Sequence, residues 1–216
     1  MKKLVMMGGS GHCKSVLDAI KMLSIYDDIV ITDRYIPAGS EMSGCRIVGN
    51  DDVLNELFVD GYKDAVISVG SLKDTSSRRN IHLNAQRIGF CFPSIIDISA
   101  VIAEGVGISE GVFTGKKSVI NSGSTIDRFS IINTGAIVEH DCHIGEFSHI
   151  SVGSVICGNC NIGNDVFVGA NATIIQGVRV GMNCVIGAGS VVLADVPDNT
   201  TVMGIWNGKE FKHERL

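Results

Sequence analysis

Between Ile137 and Ile150 the chain reads IVEHDCHIGEFSHI, and three of its six histidines fall in those fourteen residues. An imidazole ionises near neutrality, so a histidine beside carboxylates is suited to take a proton from an attacking nucleophile. His140, between Glu139 and Asp141, fits that description. Three closely spaced histidines can equally hold a metal ion or decorate a structural repeat, and the fold of the segment must decide. Two further stretches carry possible chemistry. Gly8-Gly9-Ser10-Gly11-His12 lies between an apolar run and a helical pattern, where free N–H groups and the helix dipole favour an anion. Cys157-Gly158-Asn159-Cys160 resembles half of a zinc site.

The elements that position these residues begin with a repeat. From Ile102 to Val192 every sixth residue is Ile or Val, with Thr114 the one exception among sixteen, and no insertion breaks the register. Two residues before most of them stands a small side chain, as at Ser118, Ser124, Ala136 and Ser190, and glycines recur at the remaining positions. A six-residue period suits neither an amphipathic helix nor an alternating strand. It suits a β-helix with three short flat faces, one hexad to a face, so that about eighteen residues close a coil. The aliphatic residue points inward, the small one fits beside it, and Gly or Asn takes the tight corners. Cys142, Cys160 and Cys184 then sit at the small inward position as packing residues. His143 and His149, six apart, fall on successive faces turned by about 120°. That phase argues against a metal held by one subunit, and no second cysteine pair completes a zinc site.

The first ninety or so residues follow a different pattern. KKLVMMG reads as a buried strand, CKSVLDAIKML as a helix, DIVITD as a second strand, DDVLNEL as a short helix and DAVISVG as a third strand. DTSSRRNIHLNAQRIG reads as a helix with a polar start and a Gly stop. Strand–helix alternation predicts a small parallel sheet of Rossmann type over residues 1–92, with Pro93 as the joint to a repeat domain over 93–216. The dinucleotide fingerprint is incomplete, because Lys14 occupies the place of its third glycine. Asp33 closes the second strand, where a carboxylate can hold ribose or sugar hydroxyls.

Composition narrows the classes. A net charge of −5 argues against nonspecific nucleic-acid binding. No apolar run approaches the length of a membrane span, and the Gly-broken start does not read as a signal peptide. Seven scattered cysteines, an odd number, fit reduced thiols in a cytoplasm better than a disulfide framework.

Taken together, GGSGH near the start, VISVGS at the third strand and NTGAIVEHDCHIGEFSHISVGS in the repeat resemble one family over nearly the full chain. It is the sialic-acid O-acetyltransferase and UDP-4-amino-sugar N-acetyltransferase family of hexapeptide-repeat acyltransferases. Within it, the likeness is to the branch that acetylates the 4-amino group of a UDP-4-amino-4,6-dideoxy-GlcNAc in bacillosamine synthesis. The resemblance implies an α/β Rossmann-like domain followed by a left-handed parallel β-helix. It implies acetyl-CoA as co-substrate, no metal, and a homotrimer whose CoA site a neighbour completes. His140 matches the general base and Asp141 the acid behind it, with Glu139 open as the alternative support. His149 matches a contact to acetyl-CoA at the thioester carbonyl, and Ala170 and Ala188 match backbone contacts to the pantetheine arm. Ser10, Gly11, His12, Asp33, Arg34 and Gly70 match nucleotide-sugar contacts, and Asn133 is placed to position the sugar. His143 matches no functional residue and is expected to be solvated or interfacial. The tail TVMGIWNGKEF departs from the family's Gly-x-Pro-Ala-Lys ending, and Trp206 stands where a small apolar turn is usual.

Two rival readings remain at this point. O-acetylation of a sialic acid or related sugar uses the same fold. A trimeric zinc enzyme of carbonic-anhydrase type shares the β-helix but leaves the front domain unexplained.

Overall fold

The computed structural model describes residues 1–71 and 74–208. Lys209, Glu210 and Phe211 of the atypical tail lie outside the described residues. The front half is a five-stranded sheet in the order β3-β4-β2-β1-β5. Its parallel members are β1 (Lys3–Met7), β2 (Asp28–Thr32), β4 (Cys45–Gly49) and β5 (Asp64–Ile67), and β3 (Glu41–Met42) is antiparallel at the edge. The helices are α1 (Gly11–Leu23), α2 (Leu54–Val59), which follows a 3-10 turn over Asp51–Val53, and α3 (Ser76–Ile88). The hexad begins on β6 (Ile95–Ile96), one repeat earlier than the periodicity starting at Ile102 indicates. The β3–β4 hairpin was not anticipated. It turns on Ser43 and Gly44, both with positive φ, and its signal is only the pair of inward residues Cys45 and Ile47 around the exposed Arg46.

The repeat forms a parallel β-helix of two-residue strands on three faces. The first face starts at Ile95–Ile96, the second at Val101–Ile102 and the third at Gly107–Ile108. Val119 pairs with Ile137, Ile137 with Val155, and Val155 with Thr173, so one coil takes 18 residues. Ile120, Ile126, Ile132, Ile144 and Ile162 are fully buried in the prism, and Ser118, Ser124 and Ser130 beside them are equally buried. Those serines are not unsatisfied: Ser124 and Ser130 donate to Glu139 O and Gly145 O, each at 2.7 Å. Cys142, Cys160 and Cys184 are buried free thiols at the expected small position.

The corners are less restricted than Gly or Asn alone. Every sixth residue from Gly105 to Gly189 has a left-handed φ, and the occupants include Lys117, Phe129, Asp141, Phe147 and Asp165. For Phe129 and Phe147 the reason is energetic. A left-handed φ costs a non-glycine residue about 1–2 kcal/mol. Burying a phenylalanine side chain returns about 1.5–3 kcal/mol. Both rings are buried, stacked at 5.0 Å from each other and covered by His82 of α3.

The front domain packs on the first face of the prism and its adjoining edge. Phe113 and Ile131 pack with Cys13, Val16 and Leu17 of α1. Arg79 makes a two-pronged ion pair with Asp165 at 3.0 and 2.7 Å, and the buried Arg78 donates to Phe129 O at 2.7 Å. No helix among the described residues is long and apolar enough to cross a membrane.

The last coil tapers. Val185 pairs with Thr201 and Val191 with Ile205, separations shorter than a full coil. Trp206 closes the end. Only 9% exposed, it packs in the same core as the stacked aliphatics and donates its indole N–H to Asp195 O at 3.0 Å. Trp206→Ala is expected to lower unfolding stability by about 3–5 kcal/mol, since it removes a large side chain from a prism end that cannot collapse. Denaturant midpoints of the two proteins measure this. A shift within experimental error would mean the end is sealed by something else.

Candidate active site

The first strand ends in a turn that only glycine can make. Gly8 has φ +110, and a Cβ there would lie 2.3 Å from Val69 Cγ2. Gly9 follows, and its N–H donates to Asp33 Oδ2 at 2.6 Å. Asp33 also accepts from Tyr35 N and Ile36 N at Oδ1, at 2.7 and 3.0 Å. These backbone bonds hold its carboxyl below the usual range against the opposing effect of burial. The expectation that Asp33 holds ribose therefore meets a carboxylate already engaged in bracing the glycine turn. Ser10 is the N-cap of α1 but makes no side-chain capping bond, and no acidic residue lies in the first turn. The helix N-terminus is thus open to an external anion.

A cavity of about 500 Å³ opens in front of that terminus, and it joins the two domains. Ser10, Gly11, His12 and Gly70 line it from the sheet side; Asn133, Thr134, His149 and Val152 line it from the β-helix. His149 is buried. Its Nδ1 lies 2.9 Å from Ser71 O, and a carbonyl can only accept, so Nδ1 carries the proton. Nε2 is then the lone-pair nitrogen, facing Asn133 Nδ2 at 3.1 Å, while Asn133 Oδ1 accepts from Thr134 N. Burial pushes the His149 pKa down to about 4, and the nearby Arg78 guanidinium adds to that shift. The ring is neutral and both nitrogens are engaged, Nδ1–H on Ser71 O and the Nε2 lone pair on the Asn133 amide, so no N–H is left for a thioester carbonyl. His12 is also held neutral, its pKa lowered to about 3 first by burial and then by His149 and Arg78. Its Nε2 is buried without a hydrogen-bond partner, and its ring meets Phe113 edge-on at 5.3 Å.

His140 stands elsewhere. It occupies the corner between the second and third faces, half-exposed, with Nδ1 at 2.8 Å from Asp141 Oδ2. Asp141 reaches back because its own backbone is left-handed, φ 58. Glu139 is occupied differently, accepting from the backbone N–H of His140 at 3.3 Å. Asp141 is therefore the carboxylate on the imidazole. It fixes the proton on Nδ1, leaves Nε2 as the basic nitrogen, and its hydrogen bond raises the His140 pKa above the ordinary value. Two glycines that the sequence reading passed over make room for the pair. A Cβ on Gly158 would lie 2.5 Å from His140 Nε2, and one on Gly123 would lie 2.4 Å from Asp141 Oδ1. Their signal was their position one coil above and one coil below.

Ala170 and Ala188 continue the column that Thr134 and Val152 begin on the edge between the first and second faces. Backbone bonds tie the successive corners: Gly153 N to Thr134 O, Asn171 N to Val152 O and Gly189 N to Ala170 O. The column runs from the cavity along the prism. Arg34 lines a second cavity beside the first, and its guanidinium lies 5.8 Å from the ring of the exposed Tyr35. His143 projects from the third face, with Nδ1 3.0 Å from Thr125 Oγ1 and Nε2 3.4 Å from Asp127. Within one chain, Ser10, Gly11, His12, Gly70, Asn133 and His149 meet, whereas His140 and Asp141 lie on another edge. No group of three or more potential metal ligands occurs among the described residues.

Known proteins place this architecture. Residues 3–82 match the PglD N-terminal domain model, and residues 159–194 match the bacterial transferase hexapeptide model of six repeats. A histidine-to-alanine variant of GDP-perosamine N-acetyltransferase from Caulobacter crescentus, solved with CoA and GDP-perosamine, is 31% identical with a TM-score of 0.87. That match covers 94% of this chain and 94% of the other. The chain belongs to the PglD-like family of sugar N-acetyltransferases. The acetyltransferase domain of PglB from Neisseria gonorrhoeae, solved with acetyl coenzyme A, is 34% identical with a TM-score of 0.87, over 94% of this chain and 96% of that domain. PerB from Caulobacter crescentus, with CoA and GDP-perosamine, is 32% identical with a TM-score of 0.85, over 94% and 95%. A comparison with curated protein sequences finds no match. As a family member the chain is an acetyltransferase, and its three-faced coil is a left-handed β-helix.

The His140–Asp141 contact predicts the pH profile of this family member. Asp141 raises the imidazole pKa, so removing its charge lowers it. The sequence resemblance gives His140 the role of base, and a base works only when deprotonated; on that reading activity climbs with pH through that ionisation. In Asp141→Asn the climb is expected at lower pH than in wild type, with a reduced plateau because orientation and charge support are lost. Initial rates from pH 5 to 9 decide it. A climb that stays put or moves to higher pH would separate Asp141 from the titrating group.

Proposed function

We propose that the chain transfers the acetyl group of acetyl-CoA to the 4-amino group of a nucleotide-linked 4-amino-4,6-dideoxy sugar, of which the UDP-linked GlcNAc derivative is the form implied by the sequence resemblance. The observation that carries this reading is the 2.8 Å contact between His140 Nδ1 and Asp141, which leaves Nε2 as an exposed base on a β-helix edge. The sugar's amine, as the free base, attacks the thioester carbonyl and forms a C–N bond. His140 Nε2 removes the proton that the nitrogen must shed as the tetrahedral intermediate forms. The intermediate then collapses with cleavage of the C–S bond, and the leaving thiolate takes the proton back from the imidazolium. In the cavity, the neutral His149 anchors the Asn133 amide through Nε2, and the second N–H of that amide donates to a sugar hydroxyl or a pantetheine carbonyl. The diphosphate lies at the Ser10–Gly11 end of α1, and the pantetheine arm follows the column to Ala170 and Ala188.

A neighbouring copy completes the site. The second face of the prism presents Val119, Ile137, Val155 and Val191 outward, half-buried, and the more exposed Val101 and Ile205 at its ends. Three chains that turn this apolar face toward a common axis bury it. In such a ring the edge bearing Asn133 and Ala170 in one chain meets the edge bearing His140 in the next. One arrangement thus covers the apolar face and brings the base to the cavity.

Release of free CoA thiol, followed with acetyl-CoA and a panel of nucleotide-linked sugars, tests the reaction. Turnover is expected with 4-amino sugars and not with their 4-hydroxy counterparts; the reverse would make the chain an O-acetyltransferase. The shared site is tested by refolding His140→Ala and Asn133→Ala chains together in equal amounts. Each variant alone has two of its own kind at every site, but a random mixture places both wild-type residues at about a quarter of the sites. Recovery to roughly that fraction is expected. No recovery in mixed trimers would place all of the chemistry on one chain.

A further inference from the structure

The second cavity, about 330 Å³, opens at the carboxyl ends of β1, β2 and β5 and shares Val69 with the first. Val69 and Ile81 give it apolar walls, Ser77 and Asn80 of α3 line one side, and Asp33 and Asp51 supply carboxylates. The two acids are not equivalent. Asp33 spends both oxygens on backbone N–H groups of the glycine turn. Asp51 accepts one hydrogen bond, from the buried Thr32 hydroxyl to Oδ1 at 2.6 Å, which fixes the plane of its carboxylate. Among the described residues nothing donates to its Oδ2 and no cation pairs with it.

We infer that this cavity holds the nucleobase of the substrate and that Asp51 selects guanine. The inference rests on the reading of the chain as a nucleotide-sugar enzyme and specifies which nucleotide. This cavity sets one guanidinium, Arg34, against two carboxylates, whereas the adjoining cavity has no carboxylate and holds the open N-terminus of α1, so the diphosphate lies there. That sets the direction of the ligand: sugar toward His149 and Asn133, base toward Asp51. A carboxylate only accepts, so it suits a base edge that presents donors side by side. Guanine offers N1–H and N2–H₂ in parallel, matching the two oxygens in a charge-assisted, two-point contact. Uracil offers a single N3–H between two carbonyl oxygens, and those oxygens face the carboxylate with lone pair against lone pair. Cytosine and adenine each pair one amino donor with a ring-nitrogen acceptor and fail at the second point. Tyr35, 85% exposed at the cavity mouth, is an aromatic surface against which a flat base can stack.

Calorimetric titration of the purified full chain with GDP and with UDP, without an acetyl donor, tests the assignment. GDP is expected to bind at least about 10-fold more tightly, the discrimination usual for one good two-point base contact. Asp51→Asn replaces one accepting oxygen with a donor and should erase the preference, and Asp51→Ala should do the same without adding a donor. Thermal melts establish that each variant is folded, and the wild-type comparison stands whether or not they are. Equal or tighter binding of UDP by wild type overturns the guanine assignment while leaving nucleotide binding intact. A GDP preference that survives in folded Asp51→Asn and Asp51→Ala overturns Asp51 as the reader. Binding of neither nucleotide would overturn the nucleotide-sugar reading and this inference with it.

Discussion

Everything in the second half of this molecule depends on one constraint: the chain must turn a corner every six residues and return above itself after eighteen. A left-handed φ at each sixth position meets the first requirement, and aliphatic side chains stacked inside the prism hold the second. Because successive coils are in register, residues eighteen apart stand in columns along the outer edges. Side-chain function then becomes a matter of phase. Asp141 can bend back to His140 because it occupies the left-handed corner. The same column places Gly123 on one side of the pair and Gly158 belongs to the adjoining column on the other, so neither coil crowds it.

The front domain is tied to this frame by unusual bonds for a domain contact. Arg78 is buried, with one donor satisfied by Phe129 O and its Nε and Nη1 without partners. Its charge contributes to holding His12 and His149 neutral, so the docking that buries α3 also sets the protonation state of the cavity. The Ser71 carbonyl, on the loop after β5, selects the tautomer of His149. Domain packing and cavity chemistry are therefore one problem here. An orientation of the front domain that lost these contacts would also leave the tautomer of His149 unfixed.

Much of this was legible in the sequence. The hexad fixed the faces to which His143 and His149 belong, because inward residues leave a periodic trace that any aliphatic preserves. The glycine turn was visible because a Cβ at Gly8 has no room. What stayed hidden depended on directions that types and spacing do not encode. Asp33 looked like a sugar ligand, yet its bonds run to Gly9, Tyr35 and Ile36. The choice between Glu139 and Asp141 needed the backbone sign at Asp141. Phe129 and Phe147 at corners broke the expected residue preference because a helix from another domain covers them. Trp206 looked anomalous until the coil above it was seen to shorten.

The eighteen-residue return gives the repeat something like a reading frame. An insertion of eighteen residues in mid-repeat would lengthen the column by one rung and leave every edge with the same neighbours. An insertion of six would be locally invisible: each corner would still turn, each aliphatic would still point inward, and the coil would remain closed. Downstream of it, however, the whole prism would be rotated by one face, carrying Ala170 and Ala188 away from the edge that bears Asn133. Sequence drift in such a chain is thus free in composition, quantised in length, and its smallest harmless step is a whole turn.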